Sequence, residues 1–155
     1  GSLESKFVEL SKKSLLNFLK KFEKGELKET PQEESKATFA PKINSDFQKI
    51  DWSCVSSEIE RKIRALNPKY GAFTFLGNKR VKIYKSSPAE NTSKLSPGSI
   101  DISEDGKLLV GCSEETAIKI DTVQMEGKSI VQSEEFVRGY RSLIIQEDKF
   151  SSNVR

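Results

Sequence analysis

Apolar residues recur at Leu3, Phe7, Leu10, Leu15, Phe18, Leu19 and Phe22, close to a 3.6-residue period. The pattern predicts a helix over residues 3–27, with Gly25 as its stop signal. Six lysines, among them Lys12, Lys13, Lys20 and Lys21, fill much of the other surface. They read either as a polyanion-binding face or, more economically, as a solvated one. The apolar stripe is broad for a lone helix, so it is expected to pack on something. Residues 28–49 lose all periodicity, carry Pro31 and Pro41, and predict a linker. Phe39, Ile43 and Phe47 are expected to anchor that linker to a surface.

The period returns with Val55, Ile59, Ile63 and Leu66, at steps of four, four and three, which share one helix face. Ser57 with Glu60 fits a capping box, while Ser53 offers an earlier start. Asn67-Pro68 ends the helix. Alternation then takes over, with a hairpin of residues 72–76 and 80–85 around Gly77-Asn78. Its second arm turns Val81, Ile83 and Lys85 one way, and Arg80, Lys82 and Tyr84 the other. Two cations and an aromatic on one strand face suit a nucleic-acid backbone and a base, but also describe an ordinary strand exterior. Residues 86–97 read as a polar loop. Short strands follow at 100–102, 107–112 and 116–123, joined by turns at Glu104-Asp105-Gly106 and Ser113-Glu114-Glu115. Five short strands in succession predict a small barrel or sandwich. Ser133-Glu134-Glu135 is expected to cap a last helix, with Phe136, Val137 and Tyr140 on its apolar side. The chain is expected to fray after Asp148.

Composition narrows the chemistry. The chain has 155 residues, 26 basic and 23 acidic, a net charge of +3. That excess identifies no nucleic-acid binder unless the cations share a face. There are two cysteines, Cys54 and Cys112, and no histidine. This fits a reduced compartment, speaks against a zinc site, and excludes Ser-His and Cys-His nucleophile pairs within the chain. No apolar run approaches the roughly 20 residues of a membrane helix. Gly1-Ser2 reads as a cloning scar, with the native beginning and any targeting signal expected elsewhere. No phosphate-cradling glycine loop, metal spacing or catalytic cluster is evident, so the catalytic and metal expectations are none.

The order of several segments carries a family resemblance. I-D-W-S at Ile50, E-I-E-R-K-I-R-A-L-N-P from Glu58 and G-A-F at Gly71 are followed by P-G-S-I at Pro97. Then come Q-M-E-G-K at Gln124 and E-F-V-R-G-Y-R at Glu135. Before them, K-A-T-F-A-P-K-I from Lys36 is similar to an interdomain linker. Together they resemble the C-terminal domain of methionyl-tRNA formyltransferases over nearly the whole chain. Departures are Lys69-Tyr70, where the family often has Trp-Pro or a second Pro, and Met125-Glu126 and Ser129 within an L-Q-P-x-G-K-K pattern. The last difference could remove one cationic contact.

The resemblance implies an α+β fold: a five-stranded OB-like barrel over residues 50–148, with a linker at 28–49 and a flexible tail at 149–155. Residues 3–27 would be the last helix of an N-terminal catalytic domain. It implies that the full protein transfers a formyl group from 10-formyltetrahydrofolate to initiator methionyl-tRNA. This piece would bind the tRNA without catalytic residues or cofactor, in a monomer of the bacterial cytoplasm, mitochondrial matrix or plastid. Its RNA-binding candidates are Lys42 on the linker, Arg61 and Arg64 on the helix, Arg80 and Lys82 on the hairpin, Lys128, and Arg138 and Arg141 on the last helix. About half are expected to touch RNA, because isolated surface cations carry little energy. Arg64 is the foremost candidate for a structural role. The alternative is a scaffold domain of a related formyltransferase or hydrolase acting on a small molecule, with no RNA role.

Overall fold

The computed structural model describes residues 1–153; positions 154 and 155, the end of the expected tail, lie outside the described residues. Contacts divide the chain into two units, Gly1–Lys42 and Ile43–Arg155.

In the first unit, helix α1 spans Ser2–Glu23 and all its residues are exposed. It ends four residues earlier than the periodicity predicts. Gly25 turns left-handed at φ 65°, and the Gly25 and Glu26 amides donate back to the Phe22 and Lys21 carbonyls. These two bonds satisfy the orphan carbonyls of the last turn and close the helix. A single 3-10 turn, Glu34–Lys36, follows. Phe39 is 96% exposed, so it does not anchor the linker as expected.

The second unit opens with a four-residue helix, α2 (Ser45–Gln48), capped by the Asn44 side chain, which accepts from the Phe47 amide at 2.8 Å. Helix α3 (Ser56–Leu66) buries Ile59, Ile63 and Leu66 on the predicted face. Neither Ser53 nor the Ser57–Glu60 box caps it. Its N-cap is Val55, and the Ser56 amide instead donates to the hydroxyl of Thr116 at 3.0 Å. A distant side chain takes the role that the local sequence offered to a neighbour.

The strands are β1 (Ala72–Leu76), β2 (Lys79–Glu90), β3 (Ile100–Ile102), β4 (Leu108–Gly111), β5 (Thr116–Met125), β6 (Ile130–Gln132) and β7 (Phe150–Ser151). Helix α4 (Ser133–Glu147) stands between the last two. The five expected strands are all present, and two short ones join them. The order is β3-β4-β5-β2-β1-β7, with β6 on β5, and all the pairings are antiparallel. The fold is thus α+β, a curled half-barrel sheet with helices before and after it. No helix among the described residues is long and apolar enough to cross a membrane.

Three local expectations need correction. The polar loop expected from Ser86 is strand as far as Glu90, paired with β5 down to Glu90↔Thr116. Pro88 fits because β1 pairs only with residues 79–83, leaving the outer half of β2 with one strand neighbour. Register shifts between Ile83 and Ser86 then put Lys85 outside, not beside Val81 and Ile83. Ser133 does not cap α4; its hydroxyl accepts from the Leu108 amide at 2.9 Å and ties helix to sheet.

The ending is the largest correction. At Phe150 and Ser151 the chain is packed, not frayed. Phe150 is 1% exposed and pairs with Leu76 in β1. On its other side the Phe150 amide donates to the Gly98 carbonyl and the Ile100 amide to the Asp148 carbonyl, each at 2.8 Å. β7 therefore bridges the β1 edge and the segment entering β3. Trp52 stacks on Phe150 at 5.7 Å between centroids. Its indole N–H donates to Thr74 Oγ1 (3.0 Å), whose hydroxyl donates to the Ser151 carbonyl (2.9 Å). Every buried polar group in this chain of contacts finds a partner.

One turn is strained. Glu114 and Glu115 both hold positive φ, 51° and 54°, inside the turn closed by Thr116 N–H to the Ser113 carbonyl. Such a turn favours Asn-Gly, and a residue with a Cβ costs about 1–2 kcal/mol in the left-handed region. The double substitution Glu114→Asn/Glu115→Gly is expected to raise stability by about 1 kcal/mol. A urea titration would show an unchanged or lower midpoint if the turn carries no such strain.

Candidate nucleic-acid interface

The alternation of β1, β2 and β5 sorts their side chains cleanly. Val81, Ile83, Val123 and Met125 point to the core, where Ile59, Ile63, Phe136, Val137 and Ile144 of α3 and α4 meet them. Phe73, Phe75, Arg80, Lys82, Tyr84 and Gln124 take the opposite face. The apolar sides of both helices lie against the core face, so this outer face is where the hairpin meets solvent.

Neighbours on that face hold one another. The Arg80 guanidinium lies 5.5 Å over the Phe73 ring and pairs with Glu126 at 3.3 Å. Phe75 meets Phe73 edge-on at 5.7 Å, which explains why an outward Phe73 is only 4% exposed. Lys82 stands opposite both Phe73 and Gln124. The Tyr84 hydroxyl donates to Gln124 Oε1 at 2.8 Å, and Gln124 Nε2 donates to the Lys128 carbonyl at 2.8 Å. Lys128 sits in the turn after β5, its amide bonded to the Met125 carbonyl, while the Glu126 amide reaches the Arg80 carbonyl at 2.9 Å.

Arg80 and Lys82 therefore share one face of β2, with the Lys82 stem beside Gly71, and the turn that carries Lys128 borders that face through Gln124 and Glu126. Arg80 is partly neutralised; Lys82 and Lys128 make no ion pair among the described residues. Arg138 and Arg141 are exposed on α4, whose apolar side packs on the other sheet face, and they do not join this group. Arg61 is exposed on α3. Arg64 Nη1 holds both carboxylate oxygens of Glu60, at 2.8 and 3.0 Å, one helical turn away. Lys42 is exposed in the first unit. Tyr84, with its hydroxyl committed to Gln124, is braced within the sheet.

Gln124 is the residue that sequence reasoning missed. Alternation with buried Val123 and Met125 shows it faces outward, but the β2–β5 pairing that sets it beside Lys82 joins strands not consecutive in the chain. Lys62 follows Arg61 near the C-terminal end of α3, where a cation would ordinarily face solvent. It turns inward instead: its ammonium donates to the Lys49 carbonyl and lies 5.5 Å over the Phe47 ring, and burial holds its pKa below the usual lysine range. The two thiols are poorly suited to chemistry. Burial pushes Cys112 up to about 12 and raises Cys54 as well.

Residues 42–141 match the family described as formyl transferase, C-terminal domain. The chain belongs to this family. Among curated relatives, this formyltransferase C-terminal domain is 32% identical over 149 residues to the methionyl-tRNA formyltransferase of Enterococcus faecalis, covering 96% of the chain and 48% of that protein. It is 38% identical over 133 residues to the Kosmotoga olearia enzyme of the same name, covering 84% and 42%. The chain thus spans about half the length of the curated relatives it matches. Among solved structures, it resembles HypX from Aquifex aeolicus in complex with tetrahydrofolic acid. The TM-score is 0.61 and identity 25%, over 84% of this chain and 22% of HypX.

A cleft of about 540 Å³ lies between the far end of β2 and β3. Glu90, Asp101, Glu104 and Asp105 line it, and its one ammonium, Lys119, is taken by Asp105 at 3.2 Å. Carboxylates in such number oppose the anionic glutamate tail of a folate, so this cleft does not fit the donor.

Proposed function

We propose that this formyltransferase C-terminal domain is the RNA-holding part of a methionyl-tRNA formyltransferase. The full protein would transfer the formyl group of 10-formyltetrahydrofolate to the amino group of initiator methionyl-tRNA, with chemistry and donor site in the part beyond this chain. Helix α1, with its exposed apolar stripe, would pack there. The observation that carries the reading is that Lys82 and Arg80 share the outer face of β2, bordered by the turn that carries Lys128. Family membership and the names of the relatives support it.

In this reading the chain's own work is electrostatic. Lysines on a rigid sheet face neutralise successive phosphates, and released counterions supply much of the affinity. Arg61, Arg138 and Arg141 would add contacts only if the RNA wraps beyond one face, whereas Arg64 and Arg80 first serve the fold. The Lys82→Ala/Lys128→Ala chain is expected to bind an initiator tRNA transcript about tenfold or more weakly than the parent, at an unchanged melting temperature. Equal affinity in a filter-binding titration would sink the proposal.

A second reading has one observation in its favour: Arg64 and Arg80, two of the eight candidates, are spent on ion pairs. It makes the domain a scaffold for a formyltransferase or hydrolase acting on a small molecule. Parent protein that shows no binding to the transcript would support it.

A further inference from the structure

We infer that Gln124 is the positioning residue of the outer face, and that it acts by holding the Glu126–Lys128 turn in one shape, with Lys128 at the border of that face. The inference rests on the RNA-holding reading and assigns within it a role to an uncharged side chain.

The amide of Gln124 is used at both ends. A backbone carbonyl can only accept, so the NH2 group must face Lys128. That leaves Oε1 for the Tyr84 hydroxyl, a donor placed at 2.8 Å. One amide orientation satisfies both partners, and the side chain becomes a strut from strand β2 to the loop after β5. The loop has two other ties to β2: the Glu126 amide on the Arg80 carbonyl, and the Arg80–Glu126 ion pair. Both hold Glu126. Beyond Gly127, which turns at φ 72°, the Lys128 amide bond to Met125 and the Gln124 strut hold Lys128, two residues before the β6 pairing begins at Gln124↔Ile130.

The strut should matter more for binding than for folding. Gln124 is half-buried and lies outside the core cluster. Removing it frees a surface loop and uncovers no core. A freed loop must be ordered again when a phosphate is bound, and that ordering weakens affinity by about three- to tenfold. The same loss should appear through Tyr84, which anchors the far end of the strut.

The test is a double-mutant cycle on the full chain, with an initiator tRNA transcript as the probe. Gln124→Leu keeps the side chain's size and removes both hydrogen bonds. It is expected to weaken binding about three- to tenfold with little change in melting temperature. Lys128→Ala should then add little in the Gln124→Leu background, because the displaced ammonium has already lost its phosphate. Tyr84→Phe, which removes one hydroxyl and cannot unfold the sheet, should give a smaller loss of the same kind. A merely structural Gln124 would lower the melting temperature and leave the full Lys128→Ala effect in place; that additive result overturns the inference. Tyr84→Phe indistinguishable from the parent overturns it too, even if Gln124→Leu misfolds. If Lys128→Ala weakens binding and Gln124→Leu does not, the positioning role fails while the RNA reading stands. If the parent chain does not bind, both fall.

Discussion

Phe150→Ala is expected to destabilise the second unit by about 3–5 kcal/mol, the range for emptying a large aromatic site in a core. The ring is 1% exposed, stacks on Trp52, and sits in the short strand that spans from β1 to the segment before β3. Truncation loses the stack and leaves a cavity where two ends of the sheet meet. For a domain of this size each kcal/mol is worth about 4 °C, so the melting temperature should fall by about 12–20 °C. Trp52 is the only tryptophan and lies against the mutated site, so its fluorescence reports the loss directly. A fall of less than 4 °C would mean that the closing strand contributes little.

Gly111→Ala is expected to be nearly as severe. A Cβ at that position would stand 2.4 Å from the Ser96 carbonyl oxygen and 2.6 Å from that of Leu95. These are backbone atoms, held by the Gly98 amide bond to the Gly111 carbonyl and the Gly111 amide bond to the Ser99 carbonyl. They cannot swing aside as a side-chain tip would, so the 95–99 segment must move off β4 as a piece. The expected loss is about 3 kcal/mol, the upper part of the overpacking range. It is measurable as a lowered urea midpoint at constant slope. A midpoint equal to that of the parent would show that the close approach is not maintained in solution.

Both positions show where sequence reading stops. The face of α3 was legible because Ile59, Ile63 and Leu66 repeat with the helix period, and period alone decides which side is buried. The hairpin was legible because Gly77-Asn78 sits between alternating runs. Neither signal exists for β7, a two-residue strand whose reason for being a strand lies on Leu76 and Gly98. The helix starts failed in the same way. Ser57 and Ser133 are sound local caps, but Thr116 took the amide at the start of α3 and Leu108 took the Ser133 hydroxyl. Local chemistry supplies candidates, and tertiary packing chooses among them.

The candidate face follows that rule. Alternation was enough to place Arg80, Lys82 and Tyr84 on one side of β2. The partner that braces Tyr84, and the turn that carries Lys128 at the border of this face, come from β5, and no local pattern announces a pairing between second and fifth strands. Arg138 and Arg141 fit the charge argument equally well in sequence, yet they stand on α4, away from this group.

The central claim is that the outer face of β2 and β5 holds RNA by its phosphates. The most direct measurement is the salt dependence of binding between the full chain and an initiator tRNA transcript, for the parent and for Lys82→Ala/Lys128→Ala. The account predicts a steep linear fall of log affinity with log salt in the parent, and a slope shallower by about two in the double variant, one for each lost phosphate contact. Binding that ignores salt, or two chains with the same slope, would contradict it.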